Sequence, residues 1–218
     1  MKKYLISINH RIFLVIILLV VLLGKNSIAQ NAYFGGAGYE QITPVLNLGN
    51  RFKSTSSLVY QFGKTVNSTD RINFIYQKID FDKTDKNELY YEDLNLQLEI
   101  HSIGSVYNYR FFDRWGMSLF FNAGVSLNNW KSKREAFFHQ DTSGTIDLPD
   151  FERGEWSWGA KTGLQLDYSP WNFVTIGASA DYSFIVASLW PSTEVRLEQI
   201  SGWQFIHTKL FLQFNINL

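Results

Sequence analysis

The chain has 218 residues, no cysteine, and 20 basic against 20 acidic side chains, so its formal charge is zero. That length suits one domain, and the charge balance leaves no basic surplus for nucleic acid, which sets that class of partner aside. Aromatic residues reach 17% while charged ones fall to 18%, and the mean hydropathy of -0.13 is what strands alternating apolar and polar residues give.

At the N-terminus, Lys2, Lys3 and Arg11 precede an unbroken apolar run from Ile12 to Leu23, followed by the small-x-small site Ser27-Ile28-Ala29. The run is too short for a transmembrane helix of about 20 residues and right for the hydrophobic region of a signal peptide. Residues 1–29 are therefore expected to be a cleaved signal, with a mature barrel domain over 30–218 starting near Gln30. Removing Lys2, Lys3, Arg11 and Lys25 leaves 16 basic against 20 acidic residues, a net charge of -4. An exported chain without disulfides needs another constraint, and closure of a barrel in lipid supplies one. Without a cysteine after the signal, lipoprotein anchoring is also excluded.

A glycine-dense first strand, 31–42, puts Tyr33, Ala37 and Tyr39 on one face. After a polar connection, Leu58, Tyr60 and Phe62 mark a second strand, and Ile72, Phe74 and Tyr76 open a third. Its phase shifts to Ile79 and Phe81, which predicts a bulge. Beyond a charged loop over 83–93, Leu94, Leu96, Leu98 and Ile100 alternate with polar residues. The phase then flips to Ile103, Tyr107, Tyr109 and Phe111, predicting a second bulge at His101-Ser102. A tight turn is expected at Asp113-Arg114, and Met117, Leu119, Phe121, Ala123, Val125 and Leu127 form the apolar face of the fifth strand. The longest loop is 129–153, and its His139-Gln140-Asp141 reads as solvated loop.

The clearest alternation runs from Glu155 to Val186. Trp156, Trp158, Ala160, Thr162, Leu164, Leu166 and Tyr168 share one face, and Val174, Ile176, Ala178, Ala180, Tyr182, Phe184 and Val186 continue it after a break at 169–172. The opposite face is rich in Gly and Ser with sparse charges, which suits the inside of a narrow barrel. After a loop over 187–202 the last strand sets Ile206, Leu210, Leu212, Phe214 and Ile216 against His207, Lys209 and Gln213. Eight strands with short connections alternating with long ones predict an all-β, eight-stranded antiparallel up-and-down transmembrane β-barrel, both termini on the periplasmic side.

In that barrel Gln97, Glu99, His101, Arg110, Lys161, Gln165, Asp167, Asp181, His207 and Lys209 are expected in the lumen. An eight-stranded barrel is just wide enough for side chains, so these groups must pair as a polar plug. A sharper alternative treats Glu99, His101 and His207 as a proton-transfer or metal site. Trp115, Trp130, Trp156, Trp158, Trp171, Trp190 and Trp203 are expected as two aromatic girdles at the lipid interfaces. His101-Ser102 beside Glu99 raises a lipid-modifying enzyme, and a lipocalin-like soluble carrier with an apolar interior is a further alternative. No phosphate loop, zinc spacing or nucleophile elbow occurs, so no cofactor is expected. The loops 129–153 and 187–202, carrying Phe137, Phe138 and Pro191 among charges, are the expected contacts for a protein partner.

The signal peptide, the eight alternating strands, Leu98-Glu99-Ile100 before the fourth-strand break, and the ending Phe214-Asn215-Ile216-Asn217-Leu218 inside the last strand resemble the PorT-like outer-membrane β-barrel family. The resemblance covers nearly all of residues 30–218. It implies an integral outer-membrane protein surrounded by lipid, assembled by the barrel-insertion machinery, without catalytic residues and with some members tied to protein secretion.

Overall fold

A computed structural model describes residues 32–66, 69–82, 95–141, 144–188 and 201–217. The expected signal peptide 1–29, the 83–93 loop, Trp190 with most of the 187–202 loop, and Leu218 lie outside the described residues. β1 (Ala32–Val45), β2 (Thr55–Val66), β3 (Asp70–Phe81), β4 (Leu96–Arg114), β5 (Met117–Arg134), β8 (Phe151–Trp171), β9 (Val174–Ser188) and β10 (Ser201–Asn217) close an antiparallel barrel. Each strand pairs with its neighbours in this order, and β1 meets β10 from Ala32↔Asn217 to Val45↔Gln204. A separate hairpin, β6 (Phe137–Asp141) with β7 (Gly144–Leu148), stands between β5 and β8. The predicted 129–153 loop is thus mostly strand: β5 and β8 stay paired as far as Arg134↔Phe151. His139-Gln140-Asp141 belongs to β6.

The pleat sends alternate side chains to opposite sides of the wall. Over most of its height the barrel carries an outward apolar belt. Tyr39, Tyr60, Tyr109, Phe121, Leu164, Ile176, Leu210 and Phe214 are all more than 40% exposed. On the inner side at the same height stand Glu40, Gln61, Gln77, Asn122, Gln165, Asp181 and Lys209, all buried. This polarity is opposite to the expectation for a lipocalin-like carrier, whose interior is apolar.

Toward the long-loop end the polarity inverts. Outward positions become Gln41, Lys78, Glu99, Lys131 and Glu152, whereas the inner side becomes an apolar core. That core includes Ile42, Leu48, Phe52, Ile79, Phe81, Leu98, Ile100, Trp130, Phe137, Ile185, Trp203 and Phe205. Its rings are in contact: Phe81 stacks on Phe205 at 5.7 Å and Trp130 meets Trp203 edge-on at 4.9 Å. Such pairs add about 0.5–1.5 kcal/mol beyond the area they bury.

This inversion replaces both predicted bulges. The β3–β4 register runs without interruption from Arg71↔Asn108 to Phe81↔Leu98, and β4–β5 pairs continuously through His101↔Asn129 and Ser102↔Asn128. The apolar residues change side because the surroundings of the wall change, while the backbone keeps its phase. Irregularities occur instead at Arg110/Phe112, Tyr168/Trp171 and Ser201/Trp203.

The β4–β5 connection falls at Trp115-Gly116, two residues beyond the predicted Asp113-Arg114. Trp115 (φ 55) and Gly116 (φ 75) both take positive φ, as a type I′ hairpin turn requires. The belt makes a direct prediction for the barrel in lipid vesicles. Leu212→Arg, on the outer wall near mid-belt, should lower unfolding free energy by about 2–4 kcal/mol, while Asn129→Arg above the belt should cost roughly 0–1 kcal/mol. Urea titration of refolded protein measures both, and equal effects would contradict the placement of the belt.

Candidate functional site

The inner wall of the belt region holds a connected polar network, and its hub is Glu40. Gly36 and Gly38 precede it on the inward face of β1, and Glu40 pairs across the wall with Lys209 of β10 and Ser57 of β2. Its carboxylate accepts from Lys161 Nζ at 3.2 Å and from Gln77 Nε2. Lys161 also lies 3.5 Å from Asp181, and Asp181 accepts from Asn122 at 3.0 Å and from Ser179 at 2.9 Å. Lower in the barrel Arg71 bridges to Asp167, which also accepts from Gln165 at 2.9 Å. The Arg71 guanidinium rests 4.4 Å from the Phe120 ring centroid. Lys209 donates to Gln61 at 3.4 Å and its ammonium sits 4.9 Å from the Phe211 ring centroid.

Among the described residues, the carboxylates Glu40, Asp167 and Asp181 face the cations Arg71, Lys161 and Lys209 inside the belt, so formal charge cancels there. Cancellation matters because an unpaired ion in so narrow an interior carries a desolvation cost of several kcal/mol.

The expected lumen set divides. Lys161, Gln165, Asp167, Asp181, His207 and Lys209 face inward in this network. Arg110 sits at the short-turn mouth, 2.7 Å from Asp113. Gln97, Glu99 and His101 do not enter the lumen: they point outward, because β4 keeps one phase and its inward positions are Leu98, Ile100 and Ser102. There His101 Nε2 lies 2.8 Å from Glu99, His101 Nδ1 lies 3.1 Å from the Tyr76 hydroxyl, and Lys78 reaches Glu99 at 3.3 Å. These groups line the outer collar above the belt. In the same collar, the hydrogen bond from Lys131 holds the Glu152 carboxyl below its ordinary pKa, and the bond to Asp80 raises the Lys78 ammonium.

The placement removes the two sharper readings of Glu99 and His101. They lie on the outer wall, apart from inward-facing His207, and among the described residues no group of three or more His, Cys, Asp or Glu side chains could hold a metal ion. Ser102 faces inward while His101 faces outward, so the adjacent pair does not act on one substrate. The missed residues are Glu40, Arg71, Gln61, Gln77 and Asn122. For Glu40 the available signal was the inward run Gly36, Gly38, Glu40, small residues followed by a charge at two-residue spacing.

The expected girdle also divides. Trp156 and Trp158 are 58% and 68% exposed on the outer wall of β8, and Trp115 and Trp171 project at the short-turn end. Trp130 and Trp203 are not girdle residues: they are 1% and 0% exposed inside the apolar core, because that part of the barrel rises above the belt and its apolar side is the inner one. Phe137, expected as a loop contact, also packs into this core, whereas Phe138 is exposed.

One arrangement in the lumen has the form of a nucleophilic triad. Ser183 Oγ lies 2.6 Å from His207 Nε2, and His207 Nδ1 lies 3.2 Å from Glu40 Oε2 without hydrogen-bond alignment. A serine, an imidazole and a carboxylate in that order could activate a hydroxyl. The adjoining cavity holds about 40 Å³ and is lined in part by Ile79, Ile185 and Phe205, room for a few waters and no acyl substrate.

The sequence matches no protein-family model and no curated protein. Solved structures are similar to this chain. A major outer-membrane protein from Thermus thermophilus superposes with a TM-score of 0.60 at 7% identity, covering 85% of this chain and 99% of that one. Neisserial surface protein A gives a TM-score of 0.44 at 15% identity over 88% and 100% of the two chains. OprG from Pseudomonas aeruginosa gives 0.46 at 9% identity over 87% and 97%. The chain is a closed eight-stranded antiparallel barrel of the outer-membrane type.

Proposed function

We propose that this chain is an exported integral outer-membrane barrel without enzymatic activity that works as a structural or contact-making element, its lumen closed to solutes. One observation carries the reading: an outward apolar belt around a charge-balanced interior, topped by a section in which the polarity is reversed. The first part matches lipid outside, and the second matches water outside around an apolar plug. Residues 1–29 direct export and are removed, the barrel-insertion machinery assembles the mature chain, and outer-membrane lipid surrounds it. The resemblance to PorT-like barrels supports an accessory role in protein secretion. The protein partner contacts residues within 129–153 and 187–202, and among those described Phe138 is 65% exposed.

Fractionation with outer membranes and heat-modifiable gel migration test the location; recovery as soluble periplasmic protein would sink it. In planar bilayers the purified barrel is expected to show no stable conductance steps. Steady channels in the wild-type protein would overturn the closed-lumen reading.

A further inference from the structure

Backbone pairing between β2 and β3 stops at Val59↔Gln77, although both strands continue toward the long-loop end, β2 from Thr55 and β3 to Phe81. Side chains stitch the remaining seam: Ser57 Oγ donates to the Lys78 carbonyl, and Thr55 Oγ1 donates to the Asp80 carbonyl at 2.8 Å. Beside this seam lies a pocket of about 240 Å³ lined by Tyr39, Gln41, Ser54, Thr55, Ser56 and Asp82.

Its position and chemistry restrict what fits. Tyr39, 59% exposed, belongs to the top of the apolar belt together with Leu58 and Tyr60, whereas Gln41, Ser54 and Ser56 belong to the polar collar. The pocket therefore straddles the height at which lipid headgroups lie. It offers hydroxyls, one amide, one carboxylate and one aromatic ring, and among the described residues no lysine or arginine lines it. A phosphate there would face the Asp82 carboxylate with no cation among the described lining residues to offset it. A sugar finds acceptors and donors for its hydroxyls and a ring for its C–H face. The volume is below the range of about 300–1,000 Å³ typical of drug-sized ligands, which points to a single ring.

We infer that this pocket binds a neutral hexose-type sugar ring, the headgroup of an outer-leaflet glycolipid or the same sugar free in solution. The glycolipid source rests on the outer-membrane reading above; the sugar chemistry does not.

The test uses the full-length mature protein in phosphatidylcholine nanodiscs and saturation-transfer NMR with octyl β-D-glucopyranoside, D-glucose, and tetraethylene glycol monooctyl ether as a tail-only control. The glucoside ring protons are expected to receive saturation, and Tyr39→Ala and Asp82→Ala are each expected to weaken binding about tenfold, equivalent to about 1.4 kcal/mol. Tighter binding of the glucoside than of glucose assigns the glycolipid source, and equal binding assigns the free sugar. Absence of ring saturation, equal binding of the tail-only control, or unchanged affinity in both variants overturns the proposal. Retained heat-modifiable migration of the variants shows that they fold. Failure of the wild-type chain to insert into vesicles would count against the outer-membrane reading, separately from any sugar result.

Discussion

Glu40→Ala is expected to destabilise the barrel by about 3–5 kcal/mol, the cost of removing one partner from a buried ionic network. Glu40 is fully buried; Lys161 and Gln77 donate to its carboxylate, and His207 Nδ1 lies 3.2 Å away. Alanine strands the Lys161 ammonium beside Asp181 alone and leaves the Gln77 amide without its acceptor. The double variant Glu40→Met with Lys161→Met removes both charges of the pair and fills the space, so it should lose much less than the two single effects added together. Urea unfolding in lipid vesicles of the wild type, Glu40→Met, Lys161→Met and the double variant completes the cycle. A single Glu40→Ala loss below roughly 1 kcal/mol would mean that water fills the lumen and screens these charges.

Trp203→Ala should cost about 3–5 kcal/mol, as large-to-small changes of buried aromatics do. Its indole is 0% exposed and packs against Trp130, so truncation opens a cavity in the plug that Phe81, Phe205 and Ile185 do not collapse to fill. Trp156→Ala and Trp158→Ala, on the outer wall, leave no internal cavity and should cost about 1 kcal/mol each, near the centre of ordinary substitution effects. If Trp203 were a girdle residue, the three losses would match. Equal losses in vesicle unfolding would therefore contradict the apolar plug.

How much of this was legible beforehand varies strand by strand. Along β8 and β9, the outward run from Trp156 to Val186 and its Gly/Ser-rich opposite face were readable directly, because a two-residue period needs only the chain itself. Along β3 and β4 the same period misled. A phase flip from Tyr76 to Ile79, or from Ile100 to Ile103, reads alike whether the backbone inserts a residue or the solvent on each side changes. The first cause implies a bulge and the second an inversion of polarity, and the unbroken pairing of these strands decides for the second. Gln97, Glu99, His101, Trp130 and Trp203 were misplaced for this one reason.

The sequence by itself determined that the chain is a set of amphipathic strands joined by alternating short and long connections, since the pleat writes its period into the order of residues. It did not determine where the belt ends, nor that Glu40, with glycines before it and Gln41 after it, is the hub of the interior. Those depend on registers that bring β1, β3, β8, β9 and β10 together across the lumen, and on closure, which gives every strand an inside. The meaning of a face follows from what stands opposite it, and that is a property of the closed barrel.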